Sequence, residues 1–412
     1  MKILYVTQFY PPESIAGAFR AKEHAARWAC AGNEVTVLTG WPNYPTGRLF
    51  DGYTPQLLGE FEDGNVRVLR SKLAVRPNTS FLKRIVNGGS FFFFGCLNAL
   101  VQREKIGKDY DIVLASSGTV FAAYIGLFHA ILHHIPFVVE FRDLTFDQMV
   151  ATGSKRNSWK VRLMRSLELR LARKADSVIV LTEGFRKRLI ECGIRPASVS
   201  VIPNGASVHS LKKTSSEAEI TFGYFGTMGI SQNVPETLEI SELIGAITGS
   251  AVKYTLIGEG AARREIEDLV EAEYPSVNLL HGLPQEELER FYANCDFTFV
   301  SLKRSDSFGA TVPSKIFQSF ARGVPVIFLG PDGEAAKIIR DHEAGLVLCG
   351  DERDNEKKLA SFFNQEDWRQ RAKVMGRNAH DLIRKEYSRT VLADRVLAIL
   401  DNASRSERSK DK

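Results

Sequence analysis

A lysine in the first turn of a helix works against the helix dipole unless an anion offsets it, and Lys315 stands in such a turn. Around it runs Ser307-Phe-Gly-Ala-Thr-Val-Pro-Ser-Lys-Ile-Phe-Gln-Ser-Phe-Ala-Arg-Gly-Val-Pro-Val-Ile327: a loop with glycine, a short helix, then Gly-Val-Pro and a β-branched run. Pro313 suits a first helical turn and Gly323 a helix end, which predicts a helix over 312–322. Ser314, Lys315 and Gln318 decorate it, with Ile316, Phe317 and Phe320 available for a core. Unpaired N–H groups at a helix start behind a flexible loop favour anions. The chemistry expected here is therefore phosphate capture, with Lys315 as the local cation. The plainer alternative is an ordinary helix on a sheet carrying a solvated lysine.

Other constellations are weaker. Asp143 closes the run Phe137-Val-Val-Glu-Phe-Arg-Asp, where a strand-end carboxylate could meet a reacting carbon; a structural pair of Glu140 and Arg142 is the competing reading. Asp109-Tyr-Asp111 has the form of a metal-binding DxD but precedes the strand Ile112–Ala115, at the end away from the expected site. The eight histidines lack ligand spacing, and no nucleophile elbow is visible.

The elements that must position these residues alternate. Ile3–Val6, Val35–Leu38, Val66–Leu69, Ile112–Ala115, Phe137–Glu140 and Val178–Leu181 read as buried strands, separated by helical patterns over Phe19–Cys30, Phe81–Glu104, Val120–Leu132 and Trp159–Lys174. After the turn Ile202-Pro-Asn-Gly205 the alternation restarts with strands Ile220–Phe225, Lys253–Ile257, Val277–Leu280, Phe297–Val300 and Val324–Phe328, and helices Pro235–Ile247, Arg263–Glu273 and Glu334–Arg340. Such alternation implies doubly wound parallel sheets. A length of 412 residues calls for two domains. We expect an N-terminal Rossmann-like domain over 1–205, a linker over 206–219, a C-terminal Rossmann-like domain over 220–385, and a helix with a frayed tail over 386–412 that crosses back to the first domain. Two such domains in tandem place a ligand cleft at their strands' carboxyl ends. No GxGxxG follows the first strand, which argues against a dinucleotide oxidoreductase.

The net charge of +5 is too small for its length to imply nucleic acid as a partner. Five scattered cysteines without a CxxC pair suit reduced thiols in the cytoplasm. Lys2–Thr7 reads as a first strand in place of a signal peptide. The longest apolar run, Phe91–Val101, is about half of the roughly 20 residues a membrane span needs.

Several blocks resemble glycosyltransferase family 4. They are Tyr10-Pro-Pro-Glu-Ser-Ile-Ala-Gly-Ala-Phe-Arg20, Ala31-Gly-Asn-Glu-Val-Thr-Val-Leu-Thr39, Ile202-Pro-Asn-Gly205, Tyr224-Phe-Gly-Thr-Met-Gly229, Leu256-Ile-Gly-Glu-Gly260 and the 307–327 stretch itself. They occur in family order from residue 3 to about 350. The resemblance implies a GT-B fold, two Rossmann-like domains facing a cleft, and a retaining transferase whose nucleotide-sugar donor is a substrate and whose chemistry needs no cofactor and no metal. It places Gly226 and Gly229, the backbone near His281, Gly282 and Leu283, and Ser314, Lys315 and Gln318 around the nucleotide, with the base at 281–283 and the ribose at Gln318. Gly17, Arg20 and Asp143 fall near the reacting centre, although Gly17, Gly226 and Gly229 read equally well as turn glycines. Phe141-Arg-Asp-Leu144 and Val312-Pro-Ser-Lys315 look closest to bacterial enzymes that add amino- or deoxy-sugars to surface polysaccharides such as O-antigen or capsule. Two departures stand out. Many members carry two glutamates eight residues apart, where this chain has Ala310 and Gln318, and Glu334 is then the candidate substitute carboxylate. The basic pair expected after Gly226 is replaced by Thr-Met-Gly-Ile-Ser-Gln-Asn.

The stretch from Arg76 to Lys108 sets Phe81, Phe91–Phe94 and Leu97 among basic residues, and Lys155–Lys174 holds eight Lys/Arg against Glu168 alone. That mixture suits peripheral docking on an anionic membrane, the inner face of the cell membrane, beside a polyprenyl-diphosphate-linked saccharide acceptor; the alternative is that Phe91–Phe94 is core. The expected activity is transfer from a uridine, in preference to a guanosine, diphosphate sugar to that acceptor. A nucleotide-sugar epimerase or hydrolase of the same shape, and a non-catalytic scaffold, are the rival readings.

Overall fold

A computed structural model describes residues 1–13, 15–44, 46–76, 81–211, 219–305 and 308–408. Ser307, which opens the signature stretch, and residues 212–218 of the expected linker lie outside them. The chain forms two compact units, Met1–Pro203 with Arg389–Lys412, and Asn204–Ser388.

The first unit is built on β1 (Lys2–Val6), β2 (Glu34–Gly40), β3 (Leu58–Asp63), β4 (Val66–Ser71), β5 (Ile112–Ser117), β6 (Phe137–Phe141), β7 (Ser177–Val180) and β8 (Val199–Val201). Their order across the sheet is β3-β4-β2-β1-β5-β6-β7-β8. The central strands are buried along almost their whole length, as a sheet covered on both faces requires. β3 departs from the parallel expectation: it runs antiparallel to β4, with Leu58 opposite Ser71. Its Leu-Gly-Glu-Phe-Glu-Asp sequence lacks a continuous apolar run because it is an edge strand with its later residues in solvent.

One face of this sheet carries helices Phe81–Val101, Val120–His133 and Trp159–Lys174 around Phe91, Ile125, Phe137 and Leu171. The other carries Ala16–Cys30 and the C-terminal helix Arg389–Arg408, joined by Trp28 donating from Nε1 to the Ala393 carbonyl at 2.8 Å and by Leu392, Val396 and Leu400. That last helix is continuous to Arg408, so residues 404–408 are helical, and the rest of the expected frayed tail lies outside the described residues. The predicted helix Phe81–Glu104 breaks at Gln102, and a separate turn of helix follows over Arg103–Ile106.

The first of these helices also corrects the hydropathy reading. Leu82–Val101 is 20 residues long and apolar enough to span a membrane by length and composition, with a mean hydropathy of 1.2 and a third of it buried. Its buried face is committed to the sheet: Phe91 is fully buried, and Asn98 donates to the Leu57 carbonyl at 3.0 Å and to Ser71 Oγ at 2.9 Å.

The second unit holds β9 (Glu219–Phe225), β10 (Ala251–Ile257), β11 (Asn278–Leu280), β12 (Phe297–Ser301), β13 (Val326–Leu329) and β14 (Gly345–Leu348), in the order β11-β10-β9-β12-β13-β14, every neighbouring pair parallel. The chain winds outward from β9 in one direction and from β12 in the other. The β9/β12 junction is thus the topological switch point, where ligands of such sheets bind beyond the carboxyl ends. Ala206 is fully buried in this unit, its N–H on the Tyr387 carbonyl at 3.0 Å.

Candidate functional site

The loops leaving β9 and β10 touch backbone to backbone. Gly226 N–H donates to the Ile257 carbonyl and Met228 N–H to the Glu259 carbonyl, both at 2.8 Å. A Cβ on Gly258 would stand 1.9 Å from the Gly226 oxygen, so only glycine allows this approach. Gly226 itself has φ +128°, a conformation side chains rarely adopt. The result is an exposed ledge at Gly226–Thr227, beside half-buried Gly229.

Lys315 lies across that ledge. Its helix, Ser314–Phe320, is shorter than predicted: Pro313 takes an extended ψ of 133° and serves as the cap, and Gly323, with φ +67°, closes the turn beyond the other end. Ile316, Phe317 and Phe320 are buried and hold the helix to the sheet. Lys315 Nζ donates to the Thr227 carbonyl at 2.9 Å and to the Tyr224 hydroxyl, and sits 3.9 Å from the Tyr224 ring centroid. These partners are neutral, and loss of water pushes the ammonium down to about 7. Ser314 precedes it at the helix start.

The neighbouring loops converge on the same edge. His281 Nδ1 lies 2.8 Å from Glu259 Oε1, which also accepts the Gly282 N–H at 3.2 Å. Glu259 is kept below the usual carboxylate range by His281, with Gly282 and Arg263 assisting against partial desolvation. Leu283 packs beside Phe225, Ile257 and Tyr292. One turn past Ser314, Gln318 accepts at Oε1 from Arg322 Nη1 at 3.0 Å and from Gln285 Nε2 at 3.4 Å. Glu334 opens helix Glu334–Asp341, half-buried, with its N–H on the Gly309 carbonyl at 2.9 Å. This puts it beside the loop that carries Ala310. Of the nine residues assigned to the nucleotide, eight thus lie on loops or helix starts around one end of one sheet, and Gln318 lies a turn further along its helix. Tyr224, Glu259, Arg263 and Arg322 complete this edge without having been assigned roles from the sequence. Tyr224 and Glu259 do fall inside the glycine blocks that carried the resemblance.

The first unit brings Gly17 and Arg142 together: a Cβ on Gly17 would lie 2.4 Å from Arg142 Nη1. Asp143 follows Arg142 beyond the end of β6 and is exposed. Although the residue as a whole is open to solvent, the protein packed around its carboxyl displaces enough water to raise it to about 6 against the pull of Arg142. Arg20 is elsewhere. Its side chain is 3% exposed and is bonded to Glu140 Oε1 through Nη2 at 2.8 Å and Nε at 3.0 Å, and to the Pro203 carbonyl at 2.8 Å. It faces inward because the helix Ala16–Cys30 buries that side against the sheet, where it is paired with Glu140. Glu140 also accepts from Ser116 Oγ at 2.9 Å, and the Arg142 charge acts on the same carboxylate beside that of Arg20, so the expected pairing of Glu140 with Arg142 is shared with Arg20. Burial pushes the Glu140 carboxyl up, but Arg20 and Arg142 outweigh it and bring it to about 2. Asp111 accepts the Lys2 N–H at 2.8 Å, at the amino edge of the sheet.

Residues 17–205 match the family model described as a glycosyl transferase 4-like domain, and residues 209–382 that of the glycosyl transferases group 1. Comparison with curated proteins returns no match. Among solved structures, sucrose-phosphate synthase from Thermosynechococcus elongatus is 15% identical, with 98% of each chain covered and a TM-score of 0.71. HepE of Anabaena, solved with UDP-glucose, is 18% identical over 98% of this chain and 100% of its own, with a TM-score of 0.62. WaaG, a glycosyltransferase involved in lipopolysaccharide biosynthesis, is 13% identical over 97% and 99%, with a TM-score of 0.64. At such identities the likeness speaks for the fold, which is GT-B. Two family models lying end to end over most of the sequence, on that fold, make this chain a member of glycosyltransferase family 4, the retaining transferases that use nucleotide-sugar donors.

Proposed function

We propose that the second unit binds a uridine diphosphate sugar and that the sugar passes, with retention, to a saccharide carried on polyprenyl diphosphate at the inner face of the cell membrane, in the building of a bacterial surface polysaccharide. The observation that carries the donor half is Lys315 held over the Gly226–Thr227 ledge, a cation with neutral bonded partners at the sheet's switch point. A diphosphate there supplies the negative charge those partners lack. HepE, which shares the fold, was solved with UDP and with UDP-glucose, and this favours uridine. The backbone at His281–Leu283 would receive the base, Gln318 the ribose, and Ser314, Lys315 and Gly229 the diphosphate. Glu334 stands in for the carboxylate that Ala310 lacks.

In the transfer step the bond from the anomeric carbon to the β-phosphate oxygen breaks. The bond to the acceptor oxygen forms on the same face, and the acceptor proton passes to the leaving phosphate. The chain's part is to neutralise the departing diphosphate through Lys315 and to orient the acceptor by Asp143.

The acceptor half is supported by the surface of the first unit. Helix Phe81–Val101 exposes Leu82, Val86, Phe93 and Leu100, which share one stripe, while Phe91 goes to the core. Helix Trp159–Lys174 adds exposed Trp159 and Leu163 among its basic residues. Phe92 meets Tyr124 at 6.5 Å and the Tyr124 hydroxyl reaches the Leu167 carbonyl at 3.2 Å, so helix Val120–His133 lies between the two on one side of the sheet. Apolar stripes flanked by Lys83, Arg84, Lys160 and Arg162 fit an anionic bilayer.

The test is incubation of purified protein with a panel of UDP-sugars, with and without a polyprenyl-diphosphate-linked saccharide. Transfer that requires the acceptor is the expected result. Sugar interconversion without acceptor would replace this reading by an epimerase, and absence of nucleotide binding by a scaffold.

A further inference from the structure

Gln318 is the point where this chain leaves its family's pattern, and its surroundings fix which end of its amide faces outward. Arginine has donors only, so the atom 3.0 Å from Arg322 Nη1 is the amide oxygen. Arg322 cannot turn away. Its side chain is 4% exposed, its Nε donates to Glu289 Oε1 at 3.0 Å with Nη2 on the same oxygen, its Nη1 also holds the Gln318 carbonyl at 2.9 Å, and its guanidinium lies 4.5 Å from the Tyr292 ring centroid. Gln285 Nε2 approaches the same amide oxygen. The Gln318 NH2 group has no acceptor among the described residues, and it is the part of that amide left for a ligand.

The charge count agrees. Glu289 already neutralises Arg322, so a carboxylate at 318 would set a second negative charge on one guanidinium, whereas glutamine leaves the group neutral.

We propose that Arg322, braced by Glu289, is a positioning residue that turns Gln318 into a hydrogen-bond donor, so that this enzyme reads an oxygen lone pair on the nucleoside ribose where a glutamate would read a hydroxyl proton. This rests on the nucleotide reading of the same edge. It makes the chain tolerant of a ribose on which a hydroxyl is replaced by a group that can accept a hydrogen bond but not donate one.

The probes are UDP and its 2′-fluoro and 3′-fluoro ribose analogues, titrated calorimetrically against the full-length protein and against Gln318→Glu. The wild type should bind at least one fluoro analogue within about threefold of UDP, and Gln318→Glu should bind that analogue about tenfold more weakly than UDP, because carboxylate and fluorine repel. Equal discrimination by the two proteins overturns the proposal. Should Gln318→Glu not fold, Gln318→Met replaces it: loss of the donor should weaken UDP and the tolerated analogue by the same factor, about three- to tenfold, and unchanged affinity for both overturns the proposal. Failure of the wild type to bind UDP at all would overturn the nucleotide reading beneath it, a result distinct from either.

Discussion

Lys315 shows how much a single side chain can owe to neighbours distant in sequence. Its place in a first turn, and the electrostatic cost of that place, are legible in the residues around it. Its partners are not: Tyr224 and Thr227 lie some ninety positions earlier and meet it because β9 and β12 are adjacent strands. The contact has a consequence for pH. Desolvation leaves the ammonium near 7, so around neutral pH the free protein carries a mixture of the charged and neutral forms. A diphosphate stabilises the charged form and raises its pKa. UDP binding should therefore take up a proton at pH 7.5 to 8, and affinity should fall as pH rises above about 7. Calorimetry in buffers of differing ionisation enthalpy measures that uptake, and a buffer-independent heat would rule it out. Lys315→Ala should weaken UDP by about 1–3 kcal/mol and abolish the uptake. Asp143 carries the corresponding expectation in the first unit. With its carboxyl near 6, an activity that needs the carboxylate falls as pH drops through 6, and Asp143→Asn should remove that acid limb along with most of kcat. Arg20 shows what such a position leaves open. An arginine near a helix start reads as a ligand group, but the face it occupies is decided by how Ala16–Cys30 lies on its sheet.

Among the elements, long buried strands and long helices were legible because their periodicity is continuous. The short ones were not. β3, β8, β14 and the helices Thr145–Ala151, Glu183–Glu191, Gln285–Asn294 and Glu352–Phe363 have little pattern of their own and form where neighbours supply partners. Glu168, for example, accepts the Thr145 and Phe146 N–H groups and so caps a helix more than twenty residues before it. Helix Phe81–Val101 illustrates the division within one element. Four adjacent phenylalanines do not reveal which side is inner. Packing decides it: Gly88 and Gly95 admit Phe121 and Ile125, which turns Phe91 to the core and leaves Phe93 61% exposed. If that exposed stripe docks on lipid, the protein should co-sediment with anionic vesicles at low salt and release as salt rises past about 0.15 M, where the Debye length is about 8 Å. Neutralising Lys83 and Arg84 should abolish the binding, and Phe93→Ser should weaken it while the circular dichroism spectrum stays unchanged. Equal binding to neutral vesicles would exclude the electrostatic part.

For the molecule as a whole, the last helix is part of the first unit although the chain reaches it from the second. It covers Trp28, and Arg27 pairs with Asp394 at 2.8 Å across the junction. A chain ending at Ser388 should therefore lose several kcal/mol from the first unit by exposing Trp28 and its apolar neighbours, at roughly 25 cal/mol per Å2 of apolar area uncovered. Calorimetric melting would show this as a lowered first transition, and an unchanged melt would mean the helix contributes little. What the sequence determined alone was local and ordered: strand–helix alternation, the glycine positions, the signature helix, and the family that this order implies. These follow from periodicity and from conformations that only glycine and proline favour. Tertiary structure alone decided which side chains are buried and which groups they are bonded to. Whether Arg20 is buried, which end of the Gln318 amide is free, and what Lys315 rests on depend on groups brought together from distant parts of the chain, and spacing along a sequence carries no record of those distances.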